Sequence, residues 1–547
     1  ALLYQPKNGY DRLSAQEEAE LNAYCEDYKK FLDASKTERE CVFSAIRLAE
    51  KRGFVEYRPG MAIQPGDKVY YNNRGKAVML SVIGSEPLEN GMNIVGSHID
   101  SPRLDIKQNP VYEAGGTTLL KTHYYGGVKK YQWVALPLAL YGVIVKANGE
   151  KVEIAVGDKC GDPVFYISDL LPHLAKDQMS KTMSEGVEGE NLNILIGSLP
   201  VDDTEASDRF KTALLAVLNE RYGITEEDFV SAELEAVPAG AARDVGFDRG
   251  LIVAHGHDDR VCSYASLAAL LSIEKPARTT VGLYVDKEEV GSIGATGMHS
   301  QFFNNMVGEM IALMNGGNCS DLAVRRALAH STLLSADVAA AFDPNYPSVG
   351  DNANFAAIGQ GIAMVKYTGS RGKSGANDAA AELVGKVRKL FNDHGVVYQT
   401  SELGKVDQGG GGTIAYIMAN YDMDVIDIAE LEKNEAEHGR ASALIRGVLS
   451  RFKELGCALS GFNAYTTSNV LKGSGLSSSA AFEVLVGNIV NGMFFENKAD
   501  EITIAKIGQY AEREYFGKPC GLLDQMASSL GGFTYADFFD PSEPITE

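Results

Sequence analysis

The segment NIVGSHIDSPRLDIK, residues 93–107, begins with an apolar run and then turns polar. This pattern is typical of a buried strand whose carboxyl end carries functional side chains. Two later segments repeat it, GLIVAHGHDDR at 250–260 and TTVGLYVDKEEVGS at 279–292. Stretches with helical character at 262–273 and 376–391 separate these strands from later ones. The alternation of apolar strands with helices predicts an α/β sheet.

The chain between the first two of these segments predicts an insertion into that sheet. Between 117 and 168, β-branched and aromatic residues alternate with glycine-containing turns, which favours β-strands. We therefore expect a first α/β part at 1–107, a β-rich domain at 108–240 and a second α/β part at 241–428. Near the end of that part, an apolar strand YDMDVIDI runs directly into a predicted amphipathic helix, AELEKNEAEHGRASALIRGVLSRFKEL. The remaining residues, 429–547, are predicted to be a separate unit.

The composition excludes several classes of protein and partner. Asp and Glu number 73 against 51 Lys and Arg, and the formal charge of −22 argues against a nucleic-acid partner, which would need a basic surface. The seven cysteines include no CxxC pair, so we expect neither a disulfide framework nor a thiolate zinc site. The longest apolar stretch, at 133–145, is too short to span a bilayer. We predict a cytoplasmic protein with no membrane partner.

Acidic and imidazole side chains follow the apolar runs. They are His98, Asp100, Asp258, Asp259, Glu288, Glu289 and Asp337. Carboxylate and imidazole ligands from separate strand ends can hold one or two cations such as Zn²⁺ or Mn²⁺. In the His-x-Asp pair both side chains share one face of the strand, so the carboxylate could orient the imidazole. In the Glu-Glu pair the neighbours point apart, so one could bind metal while the other transfers protons. Alone, each motif is more often a surface turn or a solvated pair, and only their joint placement favours a metal site.

Ten separated strings then resemble one family, among them VGSHIDSPRLDIKQNP, HGHDDRVCSYASL and VDKEEVGSIGATGM. They are similar to the M18 metallo-aminopeptidases, the aspartyl and vacuolar aminopeptidase group, over residues 2–428. The resemblance implies two divalent metal ions, usually zinc, with manganese or cobalt as alternatives. It also implies peptide substrates cleaved at the N-terminus, and a homo-oligomer built from dimers, commonly a dodecamer. The β-rich insertion would then be the dimerisation domain.

The resemblance assigns roles to individual residues of the strand-end group. It makes Asp258 the carboxylate that bridges both metals. His98 and Asp337 would complete one site, and Glu289 would belong to the other. Glu288 would be the general base that takes a proton from water.

Three further residues receive roles outside the ligand set. The resemblance makes Asp100 the partner that orients His98. His173, in LLPHLAKD, is similar to a family histidine that reaches from the dimerisation domain into a neighbouring subunit's active site. Lys373, in KYTGSRGKSG, could pair with an acidic substrate side chain, although a solvated loop lysine is the alternative interpretation.

One family ligand has no counterpart. The last M18 ligand is a histidine in a strand-end motif of the form LSMHAP, eight residues beyond the position of Ile428. That position is occupied here by Ala436, and the nearest histidine, His438, lies within the predicted amphipathic helix. The second ion would then keep only Glu289 and the shared Asp258, whereas a catalytic zinc usually has three protein ligands. We therefore expect weak occupancy of that site and reduced activity.

The final segment carries a different chemistry. A Gly/Ser loop leading into an apolar helix, KGSGLSSSAAFEV, can cradle an anion, although most such loops are ordinary turns and this one lacks a P-loop ending. The strings GFNAYTTSNVLKGSGLSSSAAFEVLVG and IGQYAEREYFGKPCGLLDQMASSLGG resemble galactokinase, of the GHMP kinase family, over 430–547. The resemblance makes Asp524 the carboxylate beside the reacting sugar hydroxyl. It also implies an ATP phosphate loop, whose residues are Gly473, Ser474, Gly475, Ser477, Ser478 and Ser479.

The sequence thus predicts an α/β metallopeptidase sheet with helices on both faces, interrupted by a β-rich dimerisation domain and followed by an α+β GHMP-kinase-like fragment. We favour a metallo-aminopeptidase whose activity is lowered by the missing ligand. An ATP- and Mg²⁺-dependent sugar kinase is the second interpretation, and it is disfavoured because the sugar-binding start and the C-terminal glycine-rich motif of the kinase are not in this sequence. An inactive fusion or scaffold, arising from an accidental join near Ala429, is the third.

Overall fold

The computed structural model describes residues 2, 5, 7–368, 378–407, 426–438, 440–462 and 478–531, and the backbone of 536–537 and 545–546; of residues 436 and 478 it describes the backbone only. The chain forms two compact units, Ala1–Asn420 and Tyr421–Glu547. Across the described residues, no helix combines the length and apolar character that crossing a bilayer requires.

The first unit contains eight helices and seventeen strands among its described residues. The helices are α1 Ala15–Asp33, α2 Glu38–Glu50, α3 Lys176–Ser180, α4 Arg209–Tyr222, α5 His257–Leu271, α6 Phe302–Met314, α7 Asp321–His330 and α8 Ala381–Asp393. The strands are β1 Val55–Glu56, β2 Lys68–Asn73, β3 Ala77–Val82, β4 Asn93–His98, β5 Arg103–Ala114, β6 Thr117–Tyr125, β7 Pro137–Val145, β8 Lys151–Val156, β9 Phe165–Tyr166, β10 Ile194–Gly197, β11 Ala232–Pro238, β12 Arg243–Val245, β13 Leu251–Val253, β14 Thr280–Val285, β15 Thr332–Ser335, β16 Ile362–Val365 and β17 Tyr398–Ser401.

A six-stranded sheet in the order β1-β2-β3-β14-β4-β15 forms the centre of this unit. Alternate side chains of its strands point to opposite faces, as the two-residue period of a strand requires. Val78, Leu80 and Tyr284 pack with α1, α2 and α5 on one face. Met79 and Leu283 pack with α6 and α7 on the other. The sheet is therefore covered by helices on both sides, which confirms the α/β class.

The inserted domain is a second sheet of seven strands, in the order β11-β5-β6-β10-β9-β7-β8. Because β11 also pairs with β7, six of these strands form a closed ring, and β8 is added beside β7. The ring encloses an apolar core that includes Leu104, Leu138, Ile144 and Ile194. Its first strand, β5, begins at Arg103, only a few residues after β4 ends at His98. The domain therefore emerges directly from the functional edge of the central sheet.

The second unit is mainly helical in its described part. Its elements are α9 Ala441–Glu454, α10 Ser478–Phe494, α11 Glu501–Tyr510, a π-helical turn Ala511–Phe516, α12 Leu523–Leu530, β18 Ala536–Asp537 and β19 Ile545–Thr546. Phe452, Val484 and Val490 are central to its core, and Ile426 and Ile428 pack against that core.

The amphipathic helix predicted to start directly after residue 428 is wrong in its extent. The helix begins at Ala441, and a short 3₁₀ turn at Glu435–Glu437 precedes it. The sequence between 429 and 440 is rich in charged residues and contains Gly439, the residue with the highest entropic cost in a helix apart from the special case of proline. The preceding YDMDVIDI segment was predicted as a strand, and its residues 421–425 lie outside the described part of the chain. Its last residues, 426–428, have no strand assignment.

Candidate metal centre

Three neighbouring strands place their polar ends at one edge of the central sheet. β4 ends at His98, and β14 runs parallel to it with Val285 opposite His98. β15 runs parallel to β4 on its other side, and Asp337 follows two residues after that strand ends. Because parallel strands end at the same edge, this topology brings His98, the turn beginning at Glu288, and Asp337 together.

Asp258 reaches this edge by a route that the sequence pattern did not predict. The apolar run before it forms β13, which pairs with β12 in a separate two-stranded sheet and not with the central sheet. Asp258 lies instead at the start of α5, where its backbone angles are non-helical and form a kink before the regular helix. That helix is attached to β4 because Ser263 Oγ donates to the carbonyl oxygen of His98 at 2.8 Å. Ser101 Oγ donates to the carbonyl oxygen of Asp258 at 2.6 Å, which holds the turn in place.

The side chains converge on the Nε2 atom of His98. That atom lies 3.0 Å from Asp258 Oδ1, 3.7 Å from Asp337 Oδ1 and 4.0 Å from Glu288 Oε2. Ligand atoms of His98, Asp258 and Asp337 all lie within 4.8 Å of one another, and within the described residues this is the one group of three or more His, Cys, Asp or Glu that meets this condition. The structure therefore brings these three sequence-predicted ligands together.

Asp100 occupies the opposite side of the imidazole. Its side chain is fully buried, and its Oδ1 lies 3.3 Å from His98 Nδ1, whose nearest acceptor is the Asp100 carbonyl oxygen at 3.0 Å. The carboxylate also accepts hydrogen bonds from the backbone N–H of Glu288 at 3.1 Å and of Glu289 at 3.2 Å. Burial alone would raise the pKa of Asp100, but its contacts with His98 hold it below the usual value.

These contacts suit a divalent metal ion. A metal-binding histidine usually donates its other ring N–H to a carboxylate or a carbonyl, which leaves the second nitrogen free to bind the ion. His98 has this arrangement, with Nδ1 against Asp100 and Nε2 facing Asp258 and Asp337. One imidazole with several carboxylates is a donor set that zinc and manganese accept. Without a cation, carboxylates this close to one another repel. A divalent metal ion would remove that repulsion, so these residues fit such an ion.

Glu288 and Glu289 follow β14 in a 3₁₀ turn, Glu288–Val290. Burial raises the pKa of both carboxyls, that of Glu289 to about 7, where repulsion from Asp258 adds to the effect. Glu289 lies against the backbone of Gly126, where an added Cβ would come 3.1 Å from the Glu289 Cβ. Within the described residues, Glu289 joins no group of three potential ligands.

His438 is in the second unit, with its side chain exposed, just after the turn Glu435–Glu437. The imidazole of His438 lies directly against the Gly517 backbone, and a side chain at position 517 would occupy the same space as the ring.

The remaining predicted site residues are dispersed or undescribed. His173 is exposed in a turn of the inserted domain. In the second unit, Ser479 Oγ donates to Glu512 Oε1 at 2.7 Å, and Asp524 is exposed on α12. Ser478 is the first residue of α10. The predicted residues outside the described part of the chain are Lys373, Gly473, Ser474, Gly475 and Ser477.

The centre includes one residue to which the sequence analysis gave no role and one that it did not name. Asp259 was named with the other strand-end groups but given no role, and it is completely buried directly beside Asp258. Tyr125, at the end of β6, donates its hydroxyl proton to Asp100 Oδ2 at 2.7 Å. No local motif marks Tyr125, because the aromatic residue is typical of any half-buried strand.

The titration of the centre predicts how the stability of the metal-free protein depends on pH. Burial raises the pKa of Asp259 to about 8 and that of Glu289 to about 7. Both carboxyls bind protons more tightly in the folded than in the unfolded chain. The stability that this proton binding contributes is therefore lost as the pH rises towards the two folded-state pKa values. We expect the free energy of unfolding of the zinc-free chain, measured in urea, to fall by at least about 1 kcal/mol between pH 6.5 and 8.

The Asp259→Asn variant is the control for this titration. This substitution removes the carboxyl with the higher of the two pKa values. The free energy of unfolding of the variant should therefore fall less between pH 6.5 and 8 than that of the wild-type chain. A zinc-free chain whose stability is constant or rises between pH 6.5 and 8 would contradict the assignment of raised pKa values to this centre.

Comparisons with known proteins agree with this geometry. The family model for the aminopeptidase I zinc metalloproteases, M18, matches residues 31–431, and the model for the GHMP kinases N terminal domain matches residues 443–532. The probable M18 family aminopeptidase 1 of Clostridium acetobutylicum is 53% identical over 430 residues, which cover 78% of this chain and 92% of that protein.

Two solved structures extend the comparison to the fold. The M18 family aminopeptidase of Thermotoga maritima superimposes with a TM-score of 0.72 at 45% identity, covering 76% of this chain and 91% of that one. The S. cerevisiae mApe1 dodecamer has a TM-score of 0.55 at 21% identity over 70% of this chain and 86% of that one, which shows a shared fold.

Proposed function

The chain belongs to the M18 family of zinc metallo-aminopeptidases, and on that premise we propose that the centre around His98 removes N-terminal residues from peptides by metal-assisted hydrolysis. The observation that carries this proposal is the convergence of Asp258 and Asp337 on His98 Nε2, with Asp100 behind the imidazole. His98, Asp258 and Asp337 would hold one ion.

Zinc bound there would supply Lewis-acid chemistry that makes water acidic enough to react near neutral pH. Glu288 then accepts a proton from the attacking water and returns it to the leaving amine. Burial raises the pKa of Glu288, which suits a base that works near neutral pH. Asp100 orients His98 and, through the backbone N–H of Glu288, also positions the base.

A second ion belongs to the same proposal. The Asp258 side chain is 54% exposed although one of its oxygens lies 3.0 Å from His98 Nε2, so the side chain is accessible to a second ion. Asp258 and Glu289 would share the second ion, with zinc, manganese or cobalt as its identity. Because a catalytic zinc usually has three protein ligands, this second position should bind more weakly than the first.

The assembly and cellular location extend the proposal beyond the single chain. We expect peptide substrates and a homo-oligomer built from dimers through the inserted domain, since the related mApe1 forms a dodecamer. His173, exposed in that domain, is available for the predicted contact with a neighbouring subunit's active site. A cytoplasmic location is supported by the seven cysteines, all of which are free thiols.

The second unit carries the GHMP kinase relationship at the family level. Its narrower assignment to galactokinase, and the binding of ATP and Mg²⁺, remain predictions. They depend on a phosphate loop that lies mostly outside the described residues. We propose no phosphate transfer.

Replacing Asp258 by alanine tests the metal centre. The substitution removes the carboxylate closest to His98 Nε2, so zinc affinity should fall by about 100-fold or more, with a parallel loss of activity on aminoacyl anilides. Zinc bound to the purified chains is measured by elemental analysis and by competition with a chelating dye. The matched control is Asp321→Ala, which removes an exposed carboxylate at the start of α7. Equal zinc content in Asp258→Ala and wild type would refute the site.

A further inference from the structure

We propose that Tyr125, contributed by the inserted β-domain, is a positioning residue of the metal centre that acts through Asp100. The inference rests on the proposed function, because it concerns how the same centre is held in shape. It assigns to the inserted domain a role inside its own subunit's active site, in addition to any role in assembly.

The first argument is that the Tyr125 hydroxyl completes the hydrogen bonding of a buried carboxylate. Asp100 Oδ1 faces His98 Nδ1 and accepts from the Glu288 N–H, while Oδ2 accepts from the Glu289 N–H. The Tyr125 hydroxyl donates to Oδ2 at 2.7 Å. Both oxygens are thus engaged from more than one direction, so the carboxylate plane cannot turn without breaking a buried hydrogen bond. Leaving such a group unsatisfied costs about 1–3 kcal/mol.

The second argument is that the phenol ring is itself held by cations. Tyr125 is only 7% exposed, and the guanidinium carbon of Arg103 lies 3.7 Å from its ring centroid. The Lys287 ammonium lies 5.1 Å from the same centroid. A cation over an aromatic face is attracted to it, more strongly where water is excluded. The ring therefore has a defined plane and height relative to Asp100.

The third argument is that Arg103 is anchored in turn by carboxylates from different elements. Its Nε lies 2.8 Å from Asp105 on β5 and 3.2 Å from Glu235 on β11, and its Nη1 lies 3.6 Å from Glu38 on α2. Arg103 and Tyr125 are also direct partners across the β5–β6 pair. The contact with Asp100 is therefore supported by both the inserted domain and the helical layer of the central sheet.

The fourth argument is that the residue after Tyr125 also touches the centre. Gly126 has a φ of +75°, a conformation that favours glycine, and a Cβ there would come within 3.4 Å of Glu289 Oε2. The end of β6 therefore contacts both the carboxylate behind His98 and the turn that carries the proposed base. Burial, with the nearby charge of Asp100, raises the pKa of Tyr125, so the phenol keeps the proton that it donates.

The test is the Tyr125→Phe variant, which deletes one oxygen and keeps the ring that Arg103 and Lys287 contact. We expect zinc affinity and kcat each to fall about 10-fold while KM changes less than twofold, because partners behind metal ligands typically contribute 10- to 100-fold in affinity or activity. Zinc affinity is measured by dye competition, and the visible absorption of the cobalt-loaded chain reports the ligand geometry. Tyr124→Phe is the matched control, on the same strand, 42% exposed and packed against His123. It should match wild type.

A double-mutant cycle with Asp100→Ala separates positioning from a general loss of stability. If Tyr125 acts through Asp100, the Phe substitution should change neither zinc affinity nor kcat further in the Asp100→Ala background. Additive effects would overturn the inference. So would a Tyr125→Phe chain that matches Tyr124→Phe in zinc affinity, kcat and cobalt spectrum while wild type is active. A wild-type chain that binds no zinc would overturn the proposed function, and this inference with it.

Discussion

Replacing Glu288 by glutamine is expected to lower kcat on aminoacyl anilides by about 10³-fold while zinc binding persists. The amide keeps the shape of the side chain but cannot accept the proton of the attacking water, and a positioned general base typically contributes 10²- to 10⁴-fold. Glu288 Oε2 lies 4.0 Å from His98 Nε2, at the rim of the ligand group. The measurement is steady-state hydrolysis together with zinc content of the same preparations.

Substrates blocked at the N-terminus complete this test. An aminopeptidase should leave N-acetylated aminoacyl anilides intact, and equal rates on free and acetylated substrates would refute the exopeptidase assignment. Glu274→Gln is the matched control, since that carboxylate is exposed and paired only with Lys68 among its described salt-bridge partners. If Glu288→Gln retains wild-type kcat, another group must serve as the base.

Restoring the missing family ligand is expected to give the largest gain in activity. Replacing residues 429–547 by an M18 tail with an LSMHAP-type strand should raise kcat/KM on aminoacyl anilides by about 10³-fold. The physical reason is ligand count, because the second ion would gain a third protein ligand beside Asp258 and Glu289. Zinc titration should show a second ion of higher affinity in the repaired chain.

The same tail with its histidine replaced by alanine is the control for that experiment. It keeps the restored strand and helix, so any gain that it shares with the repaired chain reflects folding and not ligation. Equal hydrolysis by the native and repaired chains would show that the missing histidine does not limit activity. In the native chain, Leu431 belongs to the core of the second unit, and Ile426 and Ile428 pack against that core. The native tail therefore has a packing role of its own, which the graft must replace.

Much of the metal centre could be predicted from local patterns. His98, Glu288 and Asp337 follow apolar runs that form parallel neighbours in one sheet, and parallel strands present their carboxyl ends at one edge. The α/β class follows from the same alternation of strands and helices. The family matches confirm the M18 resemblance and, for the final segment, the relationship to the GHMP kinases. These features are encoded within a few residues of each functional side chain, so the sequence is sufficient to find them.

Other features depend on how elements pack, and the sequence misplaced or missed them. Asp258 follows an apolar run like the others, yet β13 lies outside the central sheet and α5 delivers the carboxylate. The helix that we predicted directly after residue 428 starts only at Ala441. Hydrophobic periodicity did not reveal that the charged residues and the glycine before Ala441 are unfavourable for extending the helix towards residue 429. Periodicity identifies a buried face, but it does not identify which element covers that face.

What the sequence by itself determined is the chemistry of the centre: an imidazole and several carboxylates at the ends of buried strands, in a chain that joins two families. What only the tertiary structure decided is the arrangement that makes those groups a site. Tyr125 meets Asp100 because the closed ring of the inserted domain returns β6 to the edge of the central sheet. The physical reason is that a hydrogen bond depends on register and packing to within a fraction of an ångström, whereas a sequence pattern specifies only which face of an element is buried.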